Sequence, residues 1–505
     1  MTELNVSNEI EPPRQSLIDI EETTKYQDYL KIKRIKRYTI LITLSILFVA
    51  IIIIIILACT KGKSKKKDDS KDKGDDEKED NQDETVFLNI ITAKYFTEKE
   101  NETIKLINNN INYKLNITLF INKEEKNFSH EYNFDKPNEY FIEFKFNDEL
   151  TNLTALFEGI KNLKEIDLSG IKANKTKYMD NLFSKCSSLE KANLSNLNTN
   201  LLESTKLMFN ECTNLKELNM KNFITSNLNT TESMFEKCYN LIKINIDYFD
   251  LSKTTEAHYM FAECSSLEEI SLKNDEESIP ISMASMFIKC YSLKSINLDN
   301  FIKKKYVNNL ANAFSECKSL EFIEFSKFDT SQLTNIERFL SNCTSLKSID
   351  ITQMNTNNVI YMGYAFRNCI SLTSVDLSNF DTGKAITITG LFYGCSSLES
   401  LELNKYIINI TSINDLFNNC FSLKNVSLSA IRANSVARVF KGCNSLNYID
   451  LSGFNGSSIS MGSQDFFPDN VENATIVYNS SIIGHLKNRF PQGWKIIDIN
   501  NNIFY

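Results

Sequence analysis

The twelve cysteines of this 505-residue chain have the widest choice of chemistry, because a thiol can ligate a metal, attack an electrophile or form a disulfide. Eleven of them recur every 26 residues, apart from one gap of 27 and final gaps of 25 and 23. A residue that recurs at a fixed period belongs to a repeating structural unit. We therefore predict a structural ladder formed by Cys186, Cys212, Cys238, Cys264, Cys290, Cys317, Cys343, Cys369, Cys395, Cys420 and Cys443.

The spacing argues against metal and disulfide chemistry for this ladder. No histidine or second cysteine lies at ligand spacing within a unit. Stacked strands lie about 4.8 Å apart, whereas the Cβ atoms of a disulfide lie about 3.5–4.5 Å apart. We therefore expect buried free thiols that act as small hydrophobic groups.

Catalytic chemistry has little support elsewhere in the sequence. His130, His258 and His485 lie in three unrelated segments, and no nucleophile, phosphate-loop or zinc-protease motif occurs. We expect a protein that is not an enzyme and has no cofactor. The net charge of −8 and the lack of a basic stripe also argue against nucleic-acid binding.

Two further columns accompany the cysteines. A phenylalanine stands three residues before nearly every cysteine, and a leucine three residues after each one begins an alternating apolar and polar run. Alternation is typical of a half-buried strand, and apolar residues three apart are typical of one face of a helical turn. With one earlier unit that lacks cysteine, twelve repeats span residues 151–460. The columns predict an α/β solenoid with a parallel β-sheet.

The repeat resembles the BspA-type leucine-rich repeats of microbial surface proteins and mycoplasma-type lipoproteins. Met234-Phe235-x-x-Cys238, Met260-Phe261-x-x-Cys264 and Asn379-Phe380-Asp381-Thr382 carry the resemblance best. The repeats that carry it, residues 151–460, make up about 60% of the chain. The resemblance implies a leucine-rich-repeat stack and a cell-surface or adhesive role, but it implies no particular ligand.

A membrane segment precedes the repeats. Residues 39–59 are uncharged and long enough to cross a bilayer, so we predict one transmembrane helix there. A short tail, residues 1–38, precedes it and is expected in the cytoplasm. Residues 60–85 are rich in Lys, Asp and Glu and are expected to form a charged, disordered tether. Basic residues flank the span on both sides, so the surface-protein resemblance, not charge, places the repeats outside.

The repeats have expected caps at both ends. Residues 86–150 contain alternating β-branched and aromatic runs and are expected to form a β-rich N-terminal cap, with a separate ligand-binding domain as the alternative. Residues 461–505 are expected to form a C-terminal cap of strand, short helix and strand.

One polar column offers a binding hypothesis. The residue between the last two apolar positions of each unit should point out of the sheet, and no lysine or arginine occupies it. We expect either a solvated polar face or a groove for a polar or cationic ligand, with Ca²⁺ relieving repulsion among its acids. The four consecutive acids of this ligand-facing column are Glu324, Asp350, Asp376 and Glu402.

Two function classes follow from these features. The favoured one is a single-pass, cell-surface leucine-rich-repeat protein that binds protein or glycan ligands in recognition or adhesion. The alternative is a membrane-tethered scaffold that faces the cytosol. The oligomeric state stays open. Glycosylation of the outward-facing chain is expected at Asn101, Asn116, Asn127, Asn152 and Asn174.

Overall fold

The computed structural model is dominated by short strands and turns. It describes residues 89–108, 116–247, 249–251, 253–271, 282–298, 306–324, 329–402, 410–455, 466–468, 471–483, 490–500 and 503–504. The predicted tail, transmembrane helix and tether all lie outside these residues. In the part of the chain that is described, no helix has the length and apolar character needed to cross a bilayer.

An antiparallel β-sheet precedes the repeats. Its strands alternate between buried and exposed residues, because successive side chains of a strand point to opposite faces. The strands are β1 (Asn89–Phe96), β2 (Glu102–Lys105), β3 (Ile117–Ile121), β4 (Glu124–Lys126), β5 (Glu131–Phe134) and β6 (Glu139–Phe146). Strand β6 lies between β1 and β3, while β2 and β5 form a separate pair.

The repeats form a parallel β-solenoid in which most turns contribute a short strand. Most of these strands have three residues. In all of the three-residue strands except β15 and β17 the central residue is apolar, and Ile244 and Ile296 show how it packs inward. The strands are β7 (Leu163–Gly170), β8 (Lys191–Asn193), β9 (Glu217–Asn219), β10 (Lys243–Asn245), β11 (Glu269–Ser271), β12 (Ser295–Asn297), β13 (Phe322–Glu324), β14 (Ser400–Glu402), β15 (Ile410–Ser412), β16 (Asn425–Ser427), β17 (Ala433–Ser435) and β18 (Tyr448–Leu451).

The first edge of this sheet is covered by the N-terminal strands. Strand β1 pairs antiparallel with β7, and β7 then pairs in parallel with β8. The resulting seven-stranded sheet has the order β4-β3-β6-β1-β7-β8-β9. An unpaired strand edge is a template for aggregation, and β1 removes that edge from the solenoid.

A second ladder holds the turns together where the strands stop. Nine parallel bridges link ten consecutive turns, from Tyr178 to Ser412, and they continue through the turns at Asn335 and Tyr361. The described residues 329–399 contain no strand of their own. The parallel β-solenoid predicted from the repeat is therefore confirmed, and its backbone pairing is shared between two sides of each turn.

The helical part of the predicted α/β solenoid is wrong. The only α-helix among the described residues is α1 (Ser480–Ile483). In the F-x-x-C segment, Asn181 and Lys185 have left-handed φ values of 56° and 62°, which interrupt a helix. The Phe183 N–H donates to the next turn's Met208 carbonyl at 2.8 Å, and the Cys186 N–H closes a turn onto Phe183 at 3.0 Å. Alternate N–H groups thus bond between turns, whereas an α-helix keeps all of them internal.

The phenylalanine column forms the centre of the core. Neighbouring rings stack at centroid distances of 5.1–5.5 Å from Phe183 to Phe314. The stack changes at the turn where Leu340 takes the phenylalanine position, because the Phe339 and Phe314 rings meet edge to face at an interplanar angle of 74°. Stacked aromatic pairs add stability beyond the apolar area they bury, so each turn reinforces its neighbours.

Strands also close the C-terminal end. Strand β19 (Thr475–Tyr478) pairs in parallel with β18, β20 (Lys495–Asp498) pairs in parallel with β19, and β21 (Ile503–Phe504) pairs antiparallel with β20. Trp494 packs edge to face on Phe467 at 5.8 Å, and its indole N–H donates to the Val471 carbonyl at 2.7 Å.

Candidate ligand-binding site

A concavity lies on the open face of the sheet where the N-terminal strands join the first turns. Its volume is about 1150 Å³. Strands β1 and β6 contribute Lys94, Phe141 and Glu143, and the turn between β3 and β4 contributes Lys123. Strands β7 to β11 contribute their outward side chains, which lie on one face because side chains alternate along a strand.

The solenoid wall of this concavity alternates in charge. One outward position per turn reads Glu165, Lys191, Glu217, Lys243 and Glu269. The parallel register places Glu165 beside Lys191 and Lys191 beside Glu217, and the Lys191 Nζ lies 3.1 Å from a Glu217 carboxylate oxygen. Opposite charges on adjacent strands attract, so the wall is polar but close to neutral.

A cluster of charged residues joins the two parts of the site. The Lys94 Nζ lies 2.8 Å from Glu139 and 3.4 Å from Glu165, and the Lys164 Nζ lies 2.6 Å from Glu139. Hydrogen bonds from Lys164 and then Lys94 lower the pKa of Glu139 to about 2. The carboxylate of Glu139 is therefore ionised at neutral pH and fixes both ammonium groups at the junction.

An exposed aromatic ring of strand β6 lines the concavity beside this polar wall. Phe141 is 61% exposed, although phenylalanine is usually buried. The Lys94 Nζ lies 5.6 Å from its ring centroid. An exposed aromatic side chain beside charged groups is typical of a surface that contacts a partner, because such rings bury a large area on binding.

The predicted acidic column has a different setting. Asp350 and Asp376 are exposed and do not line the concavity. The Asp350 Oδ1 accepts the Thr352 N–H at 3.0 Å, and the Asp376 Oδ1 accepts the Ser378 N–H at 2.8 Å. The latter bond lowers the pKa of Asp376. The side chains of Glu324 and Glu402 lie outside the described residues.

The same hydrogen bond recurs along the rest of this column. The side-chain oxygen accepts the backbone N–H two residues later in the turns at Asp167, Asn193, Asn219, Asn245 and Asp450. Short side chains with an acceptor oxygen make this turn, and lysine and arginine have no acceptor. The composition of the column follows from turn formation and needs no ligand. The Ca²⁺ expectation stays a prediction, since no three metal-ligating side chains converge within the described residues.

The structure places all eleven ladder cysteines in the interior as free thiols. Each Sγ–H donates to a carbonyl oxygen of the preceding turn, for example Cys212 to Phe183 at 3.0 Å and Cys290 to Phe261 at 3.1 Å. Burial raises the pKa of Cys186, Cys369 and Cys443 to about 12. These thiols are therefore neutral at physiological pH and unsuited to nucleophilic or metal chemistry.

The predicted glycosylation sites lie next to the ends of the N-terminal strands and at the start of the repeats. Asn101, Asn116, Asn127 and Asn174 are exposed. Asn152 is half-buried, and its Oδ1 accepts the Thr154 N–H at 2.8 Å. Sequence reasoning missed Lys94, Phe141 and Glu165. The Glu and Lys alternation of the wall was visible in the sequence, but its junction with β1 and β6 was not.

Fold and site together define a leucine-rich-repeat solenoid with an open polar sheet face, a class of scaffold whose stacked turns present an extended binding surface. The chain belongs to the family described as "Mycoplasma protein of unknown function, DUF285", whose model matches residues 125–243, 151–274, 177–301 and 308–430. The resemblance to mycoplasma-type repeats is thus confirmed. No curated protein matches the chain.

Several solved structures are similar at 17% identity. A leucine-rich cell surface protein from Faecalibacterium prausnitzii A2-165 has a TM-score of 0.31, covering 63% of this chain and 93% of that one. The protein LIC12759 of Leptospira interrogans, an LRR protein, has a TM-score of 0.24, covering 67% and 90%. A TLR13–ssRNA13 complex has a TM-score of 0.23, covering 61% and 50%. These scores are too low to transfer any property of those proteins.

Proposed function

We propose that this chain is a membrane-anchored recognition or adhesion protein of the cell surface, which binds a protein or glycan ligand in the concavity at the start of its solenoid. The observation that carries the proposal is the exposed Phe141 ring, which lines a concavity of about 1150 Å³ beside a wall of alternating charge. The segment 39–59 is the membrane anchor in this proposal, and the repeats are on the outer side of the membrane.

The chemistry of the concavity supports binding over catalysis. Several of its charged groups are paired, as in Lys94 with Glu139 and Lys191 with Glu217, and a paired group is less available as a base or nucleophile. Paired charges at a surface select a partner by complementary pattern more than they add affinity. Phe141 then supplies the apolar contact on which affinity depends.

Ligand binding is tested with cells that display the full chain. Their retention on arrays of immobilised glycoproteins and glycans is compared with that of cells displaying Phe141→Ser. Phe322→Ser is the matched control, because Phe322 is also exposed on a solenoid strand but lies outside the concavity. We expect at least about tenfold weaker retention for Phe141→Ser only. Equal retention of the two variants would overturn the site.

Membrane orientation is tested separately by treating intact cells with protease. We expect loss of the repeat domain, detected with an antibody against residues 410–455. Protection of the repeats in intact cells, with digestion after permeabilisation, would instead support the cytosol-facing scaffold.

A further inference from the structure

The F-x-x-C side of the solenoid carries an unusual group of arginines and tyrosines. All four arginines between residues 151 and 460 lie in the C-terminal half of the repeats, at 338, 367, 432 and 438, whereas lysine supplies the positive charge elsewhere. Arg338, Tyr364, Arg367 and Tyr393 occupy three consecutive turns. We refer to these four residues as the arginine–tyrosine cluster.

The cluster is held together by stacking. The guanidinium carbon of Arg338 lies 5.7 Å from the Tyr364 ring centroid. That of Arg367 lies 5.7 Å from the same ring and 5.2 Å from the Tyr393 ring. A guanidinium group that stacks on an aromatic face keeps its positive charge and its planar fork of N–H donors.

Many lysines of the solenoid pair with a glutamate one turn away. These pairs are formed by Lys177, Lys206, Lys216, Lys237, Lys289, Lys294, Lys347 and Lys424. Arg338 and Arg367 have no carboxylate partner within the described residues. Three turns after Tyr364, Arg438 does have a carboxylate partner, Asp415 of the preceding turn, at 2.7 Å.

The backbone beneath the cluster is adapted to the tyrosine. Gly390 has a left-handed φ of 58°, and a Cβ placed on it would lie 2.3 Å from Cε1 of Tyr364. The equivalent residue of the preceding turn is Tyr364 itself, and that of the following turn is Asp415. The single glycine at this position therefore lets the Tyr364 ring lie flat over the next turn, where both arginines reach it.

An amide ladder borders the cluster. The Asn368 Nδ2 donates to the Asn342 Oδ1 at 2.8 Å, one turn apart. Amide side chains have donor and acceptor groups for sugar hydroxyls, and the two unpaired guanidinium groups match carboxylate or sulfate groups bidentately. A polyphosphate chain would instead require a longer basic track than two charges.

We propose that the arginine–tyrosine cluster is a second binding surface, whose ligand is an acidic glycan bearing carboxylate or sulfate groups. The guanidinium groups of Arg338 and Arg367 bind its anionic groups, and Asn342 and Asn368 contact its hydroxyls. This surface shares no residue with the concavity at the start of the solenoid, so either site can fail without the other.

The test uses the detergent-solubilised full chain and a fluorescent heparin-derived oligosaccharide, with binding followed by fluorescence anisotropy. The variant is Arg338→Gln with Arg367→Gln. The matched control is Lys237→Gln with Lys289→Gln, which removes two charges from the same side where each is paired with glutamate. We expect at least about tenfold weaker binding for the arginine variant and less than about twofold for the control.

Two further arms keep the proposal falsifiable. Arg338→Lys with Arg367→Lys retains the charge without the planar fork, and we expect binding between that of the wild type and the glutamine variant. A single-stranded oligonucleotide of equal charge is expected to bind more weakly than the oligosaccharide. Absent oligosaccharide binding, equal loss in the control variant, or tighter binding of the oligonucleotide would each overturn the proposal.

Discussion

Alkaline pH should destabilise this solenoid through its buried thiols. Burial raises the pKa of Cys186, Cys369 and Cys443 from an ordinary value of 9.0 to about 12. The folded state therefore keeps these thiols protonated at a pH where the unfolded chain releases its protons. The stability that they contribute is complete below the unfolded pKa, and it is lost as the pH rises from that value to the folded pKa.

The size of the effect follows from the pKa difference. At about pH 10, one unit above the ordinary value, the unfolded chain gains stability by ionising each thiol that the folded state keeps neutral. The free energy of unfolding is then lower than at neutral pH by about 1.4 kcal/mol for each such thiol. Burial raises the pKa of the other eight ladder cysteines as well. Their protonation therefore changes the free energy of unfolding in the same direction.

Urea unfolding followed by circular dichroism at a series of pH values measures this loss. The matched variant is Cys186→Ala with Cys369→Ala and Cys443→Ala. We expect the variant to be less stable than the wild type at neutral pH. Above about pH 9 its free energy of unfolding should fall less steeply, and the two slopes should differ by about 4 kcal/mol per pH unit. Tyrosine and lysine titrate equally in both proteins, so the difference reports the thiols.

A direct spectroscopic reading can refute the reasoning. In a Cys59→Ser background, the folded protein should show no thiolate absorbance at a pH where the urea-unfolded chain shows all eleven. Thiolate absorbance in the folded state, or equal pH slopes for the wild type and the alanine variant, would show that the thiols are not held neutral by burial.

Three other predictions concern packing, corners and charge. Phe287→Ala should lower the free energy of unfolding by about 3–5 kcal/mol because it interrupts the ring stack, while Phe322→Ala on the exposed face should cost less than about 1 kcal/mol. Thr356→Val should cost about 1–3 kcal/mol in urea unfolding, because the Thr356 hydroxyl donates to the Asp381 carbonyl at 2.8 Å and accepts its N–H at 2.6 Å; no loss would show that water replaces the hydroxyl. Lys294→Gln should cost less than about 1 kcal/mol in the same assay, since its pair with glutamate is exposed, and a larger loss would contradict this assignment.

The repeat predicted the solenoid because its columns face a shared interior. The positions of Phe183, Cys186 and Leu189 are all fully buried, and each must fit the residue one turn away. The helical expectation failed because apolar residues three apart also suit a series of turns closed from residue i to i−3, as in the Cys186 to Phe183 bond. Left-handed φ values at Lys185 and Glu211 are not readable from residue type, since neither is glycine or asparagine.

The concavity was beyond sequence reasoning for a different reason. It depends on β1 pairing antiparallel with β7, which brings Lys94 to Glu165 across 71 residues of sequence. A repeat pattern specifies contacts between equivalent positions of neighbouring turns. It contains no information on how a segment that does not repeat, such as the one that carries Phe141, meets the first turn.

Alternating charge accounts for many of the cations on this surface. Lys216 pairs with Glu190 and Lys294 pairs with Glu268, each across adjacent turns. Pairing between the wrong turns would bring like charges together, so these ion pairs favour the native register. A cation in such a pair is explained by the fold. Arg338 and Arg367 contribute nothing to this pairing among the described residues and are stacked on tyrosines instead. Arg338 is exposed and Arg367 is half-buried, and we expect substitution of the two to impair the proposed second binding surface more than the register of the turns.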